Sequence, residues 1–204
     1  EAFDSYLKSS IIGRAMKNKK IQMSFYNPRD FTSDPRRRVD QKPYGGGPGM
    51  VLEPYPVIKA VEKAVGRKKN VKIFFFAADG KQFDAKRAVQ LSKKYNHIVL
   101  ISGHYEGIDE RVKKVTKAEA LSIGPYFLTG GELPALVVID AVARYVKGVL
   151  GSEASLEEKR VSRSEVYTRP HVFVYKGKKY SVPQVLRSGH HKNIEKWRQK
   201  KSGK

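Results

Sequence analysis

Apolar positions along the chain switch between two periods. Phe3, Leu7, Ile11, Ile12 and Ala15 recur at helical spacing and predict a helix over 2–18. Over 21–26 (IQMSFY) apolar and polar residues alternate with period two, which predicts a strand. Asn27-Pro28-Arg29-Asp30 opens a long loop that runs to residue 50 and contains Tyr44-Gly45-Gly46-Gly47-Pro48-Gly49. Loops of that length in a compact domain are functional or disordered. The pattern then predicts a helix over 56–65, a strand over 71–76, a turn at 77–80 and a helix over 84–94. The continuous apolar run 97–101 (HIVLI) follows, as expected of a buried parallel strand, and a further strand is expected at 120–123.

The stretch 121–146, LSIGPYFLTGGELPALVVIDAVARYV, organises the rest. Its first part is apolar but broken by Gly124 and Pro125, and Thr129-Gly130-Gly131 is a turn. Residues 132–145 read as a helix whose first turn holds Glu132, which suits the helix dipole, and Pro134, which costs no hydrogen bond there. Leu133, Leu136, Val137, Ile139, Val142 and Ala143 leave little polar face, so burial on most sides is expected. Taken alone, this is either a loop entering a core helix or an array of backbone groups that holds a small polar ligand.

The strand-loop-helix repeat predicts a parallel sheet with helices on both faces. Ligands in such sheets bind beyond the carboxyl ends of the strands. Three polar or glycine-bent loops, 77–82, 102–111 and 123–131, lie at such ends, and their convergence favours a ligand site. After Gly148 the composition turns polar: 151–163 reads as a linker, 172–175 and 179–182 as a hairpin, and Ser188 as the cap of a final helix with Ile194 and Trp197 as apolar contacts.

Composition narrows the function. Hydrophobic residues make up 40% of the 204, enough for the core of one large or two small domains. No apolar run is long enough to span a bilayer and no signal-peptide pattern is present, so no membrane partner is expected. Cysteine is absent, which excludes disulfides and thiolate metal sites and fits a reducing cytoplasm. The net charge of +21 points to a polyanion. Its basic clusters are residues 14–20, Arg36-Arg37-Arg38, Arg67-Lys68-Lys69 and the last 35 residues, in which Glu195 is the one acid. The glycine run is not a P-loop, because no Gly-Lys-Ser/Thr follows it, and no dinucleotide fingerprint is present. That argues against a nucleotide-dependent α/β enzyme. The five histidines make no metal site by spacing.

At Tyr44-Gly45-Gly46-Gly47-Pro48-Gly49-Met50, Gly103-His104-Tyr105-Glu106-Gly107-Ile108-Asp109-Glu110-Arg111 and residues 122–134 (SIGPYFLTGGELP), the chain closely resembles the bacterial tRNA (guanine-N1)-methyltransferases of the knotted SPOUT superfamily. Asn27-Pro28-Arg29-Asp30-Phe31-Thr32, Tyr167-Thr168-Arg169-Pro170, Ser188-Gly189-His190, Ile194 and Trp197-Arg198 add to the match, in order over nearly the whole chain. The resemblance implies an α/β fold with a C-terminal trefoil knot: a methyltransferase domain at 1–150, a linker at 151–167 and a small basic tRNA-binding domain at 168–204. It implies a cytoplasmic homodimer, S-adenosylmethionine as methyl donor, and tRNA with guanine just 3′ of the anticodon as substrate. It also admits an assisting magnesium ion without identifying ligands for it.

Carried over residue by residue, the donor site is Gly103, Ile123, Gly124, Tyr126, Phe127 and Leu128, with Pro125 in the same segment, Ala77 to Gly80 including Ala78, and Glu106 nearby. Arg144 matches the arginine that stabilises charge on the guanine. The base in the family is an aspartate in the linker. Ungapped counting from Val149-Leu150-Gly151 puts Lys159 there, a poor base, so Glu158 beside it is the first choice and Glu157 and Glu165 the alternatives. The chain departs from the family at Pro125, where an acid is common, and at Ala77-Ala78-Asp79-Gly80, where Ser-Pro-Gln-Gly is usual. It also begins after the opening strand of the family's sheet. Two rivals stand beside this reading: a non-catalytic RNA-binding protein, and a knotted RNA methyltransferase with another target.

Overall fold

The structure is a computed structural model and describes residues 3–104, 106–150 and 165–201. Contacts divide the chain into two units, Glu1–Leu150 and Gly151–Lys204.

The first unit does not begin with the single helix expected over 2–18. Two short helices form instead, α1 (Asp4–Leu7) and α2 (Ser10–Lys17). At the break, Ser9 Oγ donates to the Tyr6 carbonyl at 2.9 Å and Ser10 takes a φ of 51°. Such side-chain bonds to local backbone compete with the helical ladder. The helical spacing still serves burial, since Leu7 and Ile12 pack with Ala143 in one cluster. The strand expected over 21–26 does not form, because that segment has no ladder partner among the described residues. Ile21 and Met23 instead pack on this cluster and the Phe25 ring lies 5.1 Å from that of Phe3. Period two here records half-burial, not sheet pairing.

The long loop 27–50 is built. A single 3-10 turn, Pro28–Asp30, is capped by the Asn27 side chain, which accepts from the Arg29 N–H at 3.0 Å. β1 (Asp40–Gln41) pairs antiparallel with β2 (Val51–Leu52), so the glycine run lies in their connection. Two of the three clustered arginines are engaged locally: Arg37 with Asp30, and Arg38 with Asp34 at 3.0 Å.

α3 (Pro54–Val65) leads into β3 (Val71–Gln82), α4 (Ala85–Lys94) into β4 (His97–Ile101), and α5 (Glu110–Thr116) into β5 (Glu119–Ser122). The strands lie in the order β4-β3-β5 and all run parallel. Asp84 caps α4 by accepting from the Arg87 N–H at 2.7 Å. Asp109 caps α5, accepting from the Arg111 N–H at 2.9 Å, and the Arg111 guanidinium holds its carboxyl below the usual range. Sequence periodicity missed α5, which is short and buries only Val112.

Successive residues of β3 face opposite sides of the sheet. Phe75 packs with Val57, Val61, Ile101 and Val112 under α3 and α5, while Phe74 packs with Leu91, Leu121 and Val138 under α4 and α6 (Glu132–Ala143). Each such side chain contributes about 1.5–3 kcal/mol on burial. At the amino-terminal end of the sheet, Glu119 of β5 takes Lys72 of β3 at 2.5 Å and Arg87 of α4. Partial burial works against the Glu119 charge, but these two cations outweigh it and hold the carboxyl below its ordinary pKa.

In the second unit, β6 (Val172–Tyr175) and β7 (Lys178–Ser181) form an antiparallel hairpin. Its turn residues Lys176 and Gly177 both take positive φ, as a type I′ turn requires. α7 (Gln184–Arg187) and α8 (His191–Lys201) follow, and the Ser188 hydroxyl accepts from the His190 N–H at 3.2 Å just before α8. No helix among the described residues is long and apolar enough to cross a membrane.

Candidate active site

The site forms where the carboxyl ends of the three strands deliver their loops. β4 and β5 flank β3 on opposite sides. The segment after β5 nevertheless reaches the loop after β4: the Gly131 N–H donates to the Gly103 carbonyl at 2.9 Å, and His104 bridges Gly130 in antiparallel fashion. Residues 124–131 therefore pass across the end of β3. The crossing is tight, because a Cβ on Gly131 would lie 2.5 Å from Ser102 Cα and 2.9 Å from Gly103 N. His104 Nε2 meets Glu132 Oε1 at 2.7 Å and fastens the crossing to the first turn of α6.

The third loop differs from the turn expected at 77–80. The strand continues to Gln82, but Phe76 and Lys81 both face Leu121, so residues 77–80 form a bulge beside β5. Gly80 permits this contact, since its Cβ would lie 2.7 Å from Leu121 N. Ala78 and Asp79 sit in that bulge. The entry to 123–131 is held by Ser122, a buried polar residue whose Oγ donates to the Gly124 carbonyl at 3.0 Å and accepts from the Gly124 N–H at 3.2 Å. Gly124 is pressed by the Tyr126 ring, and Gly103 by Ile108, whose Cγ1 would be 2.8 Å from an added Cβ.

A fourth loop joins these. The Glu106 N–H donates to the Met50 carbonyl at 3.0 Å, and Leu52 exchanges backbone bonds with Gly107 and Asp109. Gly49, at φ +78°, lies against the Glu106 side chain, 2.5 Å from Cγ to an added Cβ. The end of the glycine run, at Gly49, thus meets the loop after β4, while Gly45, Gly46 and Gly47 have no neighbour where a Cβ would lie.

Gly103, Glu106, Ile123, Gly124, Pro125, Tyr126, Phe127, Leu128 and Ala78 thus come from loops that meet at one end of the sheet. Gly124 is buried and Ile123 half-buried, whereas Tyr126, Phe127 and Leu128 are exposed, Phe127 at 93%. These features suit a ligand with a flat apolar part for the exposed aromatic run, polar edges for backbone groups, and positive charge for the Glu106 carboxylate.

Arg144 lies at the opposite end of α6 from these loops. It caps the far end of α6, and α6 holds 12 residues, about 18 Å of helix. Near that end the Tyr6 hydroxyl donates to Asp140 Oδ2 at 2.5 Å, a bond that raises the tyrosine pKa. Glu157, Glu158 and Lys159 lie outside the described residues. Glu165 is described, in the second unit, and accepts from the Tyr167 hydroxyl at 2.9 Å. An open cleft of that unit is lined by Arg169, His171, Arg187, His191 and Arg198 with Glu165 and Glu195. Among the described residues no cluster of three or more His, Asp or Glu could hold a metal ion.

Sequence reasoning missed Ser122 and the His104–Glu132 pair. The Thr-Gly-Gly turn signalled a need for glycine, but nothing in the sequence indicated which segment Gly131 approaches.

The comparisons with known proteins agree with one another. A family model described as tRNA (Guanine-1)-methyltransferase TrmD matches residues 1–204. A protein of Carboxydothermus hydrogenoformans named tRNA (guanine-N(1)-)-methyltransferase is 47% identical over 206 residues, covering 99% of this chain and 79% of the relative. One of the same name from Clostridium perfringens is 46% identical, covering 99% of this chain and 84% of the relative. Another from Ruminiclostridium cellulolyticum is 45% identical over 208 residues, covering 99% and 87%.

Proposed function

Since the chain belongs to the tRNA (guanine-N1)-methyltransferase family, we propose that it is the enzyme that methylates N1 of the guanine immediately 3′ of the anticodon in tRNA, position 37, with S-adenosylmethionine as donor. The observation that carries the reading is the meeting of strand-end loops at Gly103 and Gly131 in a chain matched by the family from end to end. The crossing of residues 124–131 over β3 supports a trefoil knot, though chains with knots are rare.

The residues present fit the donor. Glycines at 103, 124 and 131 let the loops pack closely on one another, Tyr126, Phe127 and Leu128 offer an apolar surface for an adenine, and Glu106 offers a carboxylate near a sulfonium. When bound, the donor supplies an electrophilic methyl group. Guanine N1 carries a proton and is a poor nucleophile until that proton leaves. Glu158 takes it, with Glu157 and Glu165 as alternatives. Arg144 stabilises the negative charge that develops toward the guanine O6. Holding base, guanine and donor together supplies much of the remaining acceleration.

The separation of Arg144 from the donor loops supports a homodimer in which the arginine of one protomer serves the site of its partner. Leu133 and Val137, 61% and 47% exposed on α6, support an interface on that helix. The second unit, rich in cations, serves as the small basic domain at 168–204 that grips tRNA phosphates, joined by the linker at 151–167. Magnesium remains an assisting ion in this proposal, and the setting is cytoplasmic.

The test is digestion of tRNA after reaction and identification of the product nucleoside by mass spectrometry. 1-Methylguanosine at position 37 is expected. A ribose 2′-O-methyl product would overturn the substrate, and no uptake of S-adenosylhomocysteine by calorimetry would favour a non-catalytic RNA-binding protein. Glu158→Gln is expected to abolish methylation while sparing donor binding; full activity in that variant would remove Glu158 from the mechanism.

A further inference from the structure

The sheet has a second end. Because the three strands are parallel, each is entered from a helix C-terminus at the end opposite the candidate site. All three of these helix ends are basic. α3 ends with Lys63 and runs on into Arg67-Lys68-Lys69, α4 ends with Lys93 and Lys94, and α5 ends with Lys114 followed by Lys117; all of these side chains belong to exposed residues. The Asn70 side chain donates to the Lys94 carbonyl at 2.6 Å and ties the loop after α3 to the end of α4. α3 and α5 share one core cluster, and the Asn70 bond brings the end of α4 beside the loop after α3. The acids these elements carry here are engaged: Glu62 with Lys59 at 2.8 Å, and Glu119 with Lys72 and Arg87.

Cations in the last turn of a helix complement its dipole, which accounts for Lys63, Lys93, Lys94 and Lys114. It does not account for Arg67, Lys69 and Lys117, which lie beyond the last turn. β4 alone separates this surface from the donor loops by roughly 15 Å of strand. A nucleic acid stem extends further than that and presents a regular array of phosphates to the cations of the three helix ends.

We infer that this end of the sheet is a second RNA-binding surface, holding phosphate backbone at a distance from the base being methylated. The inference rests on the tRNA reading for its choice of polyanion. The RNA is another part of the same tRNA whose guanine meets the candidate site.

The test uses the full chain and measures binding alone, as the slope of log Kd against log salt. Arg67→Gln/Lys93→Gln/Lys114→Gln removes one cation from each helix end. Against full-length tRNA its slope is expected to fall by about 2, at about 0.7 for each phosphate no longer neutralised, with affinity near physiological salt down roughly tenfold. The three single variants are expected to fall by about 0.7 each, which guards against misfolding of the triple. Lys8→Gln, which removes one cation outside these helix ends and outside the basic clusters, is expected to keep the wild-type slope. Loss with full-length tRNA but not with an isolated anticodon hairpin is expected; loss with an unrelated RNA duplex alone would assign the surface to a second RNA and overturn the inference. Unchanged slopes with all three RNAs would overturn the inference. So would an equal fall in the control, or loss of binding to phosphatidylserine vesicles with every RNA slope intact. Wild-type protein that binds tRNA but yields no 1-methylguanosine would defeat the catalytic reading and leave this one standing.

Discussion

Gly131 is required for space, not for backbone freedom. Its φ of −84° suits any residue, yet a Cβ there would lie 2.5 Å from Ser102 Cα. Gly131→Ala must push the two loops apart and strain the bond to the Gly103 carbonyl. Overpacking of this kind costs about 1–3 kcal/mol. The expected result is a lower urea midpoint with weaker S-adenosylhomocysteine binding by calorimetry; wild-type values for both would mean that the loops yield freely. Glu119 makes a different prediction. Its folded pKa lies below the unfolded value, so its stabilisation is complete above the ordinary carboxylate range, about 4.3, and is lost as pH falls through the lowered folded value. Glu119→Gln leaves Lys72 and Arg87 without their shared carboxylate. Urea midpoints from pH 7 to pH 3 are expected to start lower and fall less steeply than wild type. A parallel curve would assign the acid loss to other carboxylates. Neither role was readable from the residues alone: Gly131 reads as a turn glycine and Glu119 as the polar start of a strand.

At the scale of elements, periodicity read β4 to the residue, α4 and α6 to within two residues at either end, and the first half of β3, whose bulged continuation to Gln82 it took for a turn. It failed where pattern and hydrogen bonding part. Residues 21–26 alternate because one side packs on the Leu7 cluster, and α5 is too short for its period to show. α6 lacks a polar face, which implied burial on most sides, yet Leu133 and Val137 are exposed. A helix apolar all round needs cover, and the proposed homodimer provides it. Leu133→Lys/Val137→Lys is expected to sediment as a monomer and to lose methylation, since Arg144 would no longer reach a partner's donor loops. A dimer that persists with full activity would move the interface elsewhere. The arginine cluster 36–38 is a further lesson at this scale: a run of charge that reads as a nucleic-acid contact is in part the internal fastening of its own loop.

For the whole molecule, the proposed donor site draws on four loops spread over residues 49–131. Ligand binding should therefore stabilise the first unit as a whole. S-Adenosylhomocysteine at a hundredfold excess over Kd adds about 2.7 kcal/mol to the folded state, a rise in Tm of roughly 5–10 °C by scanning calorimetry. A rise confined to the second unit's transition would contradict this location of the site.

Class and chemistry were determined locally. Parallel strands with intervening helices follow from short-range periodicity, the polyanion partner from an excess of 41 basic over 20 acidic residues, and the family from long motifs in order. Which segments touch was decided only in three dimensions. β4 and β5 stand on either side of β3, so the loop after one must cross the end of β3 to bond the loop after the other. The same parallel register carries three basic helix ends to the opposite edge. Strand order is settled by packing between positions far apart in the chain, and no local period contains it.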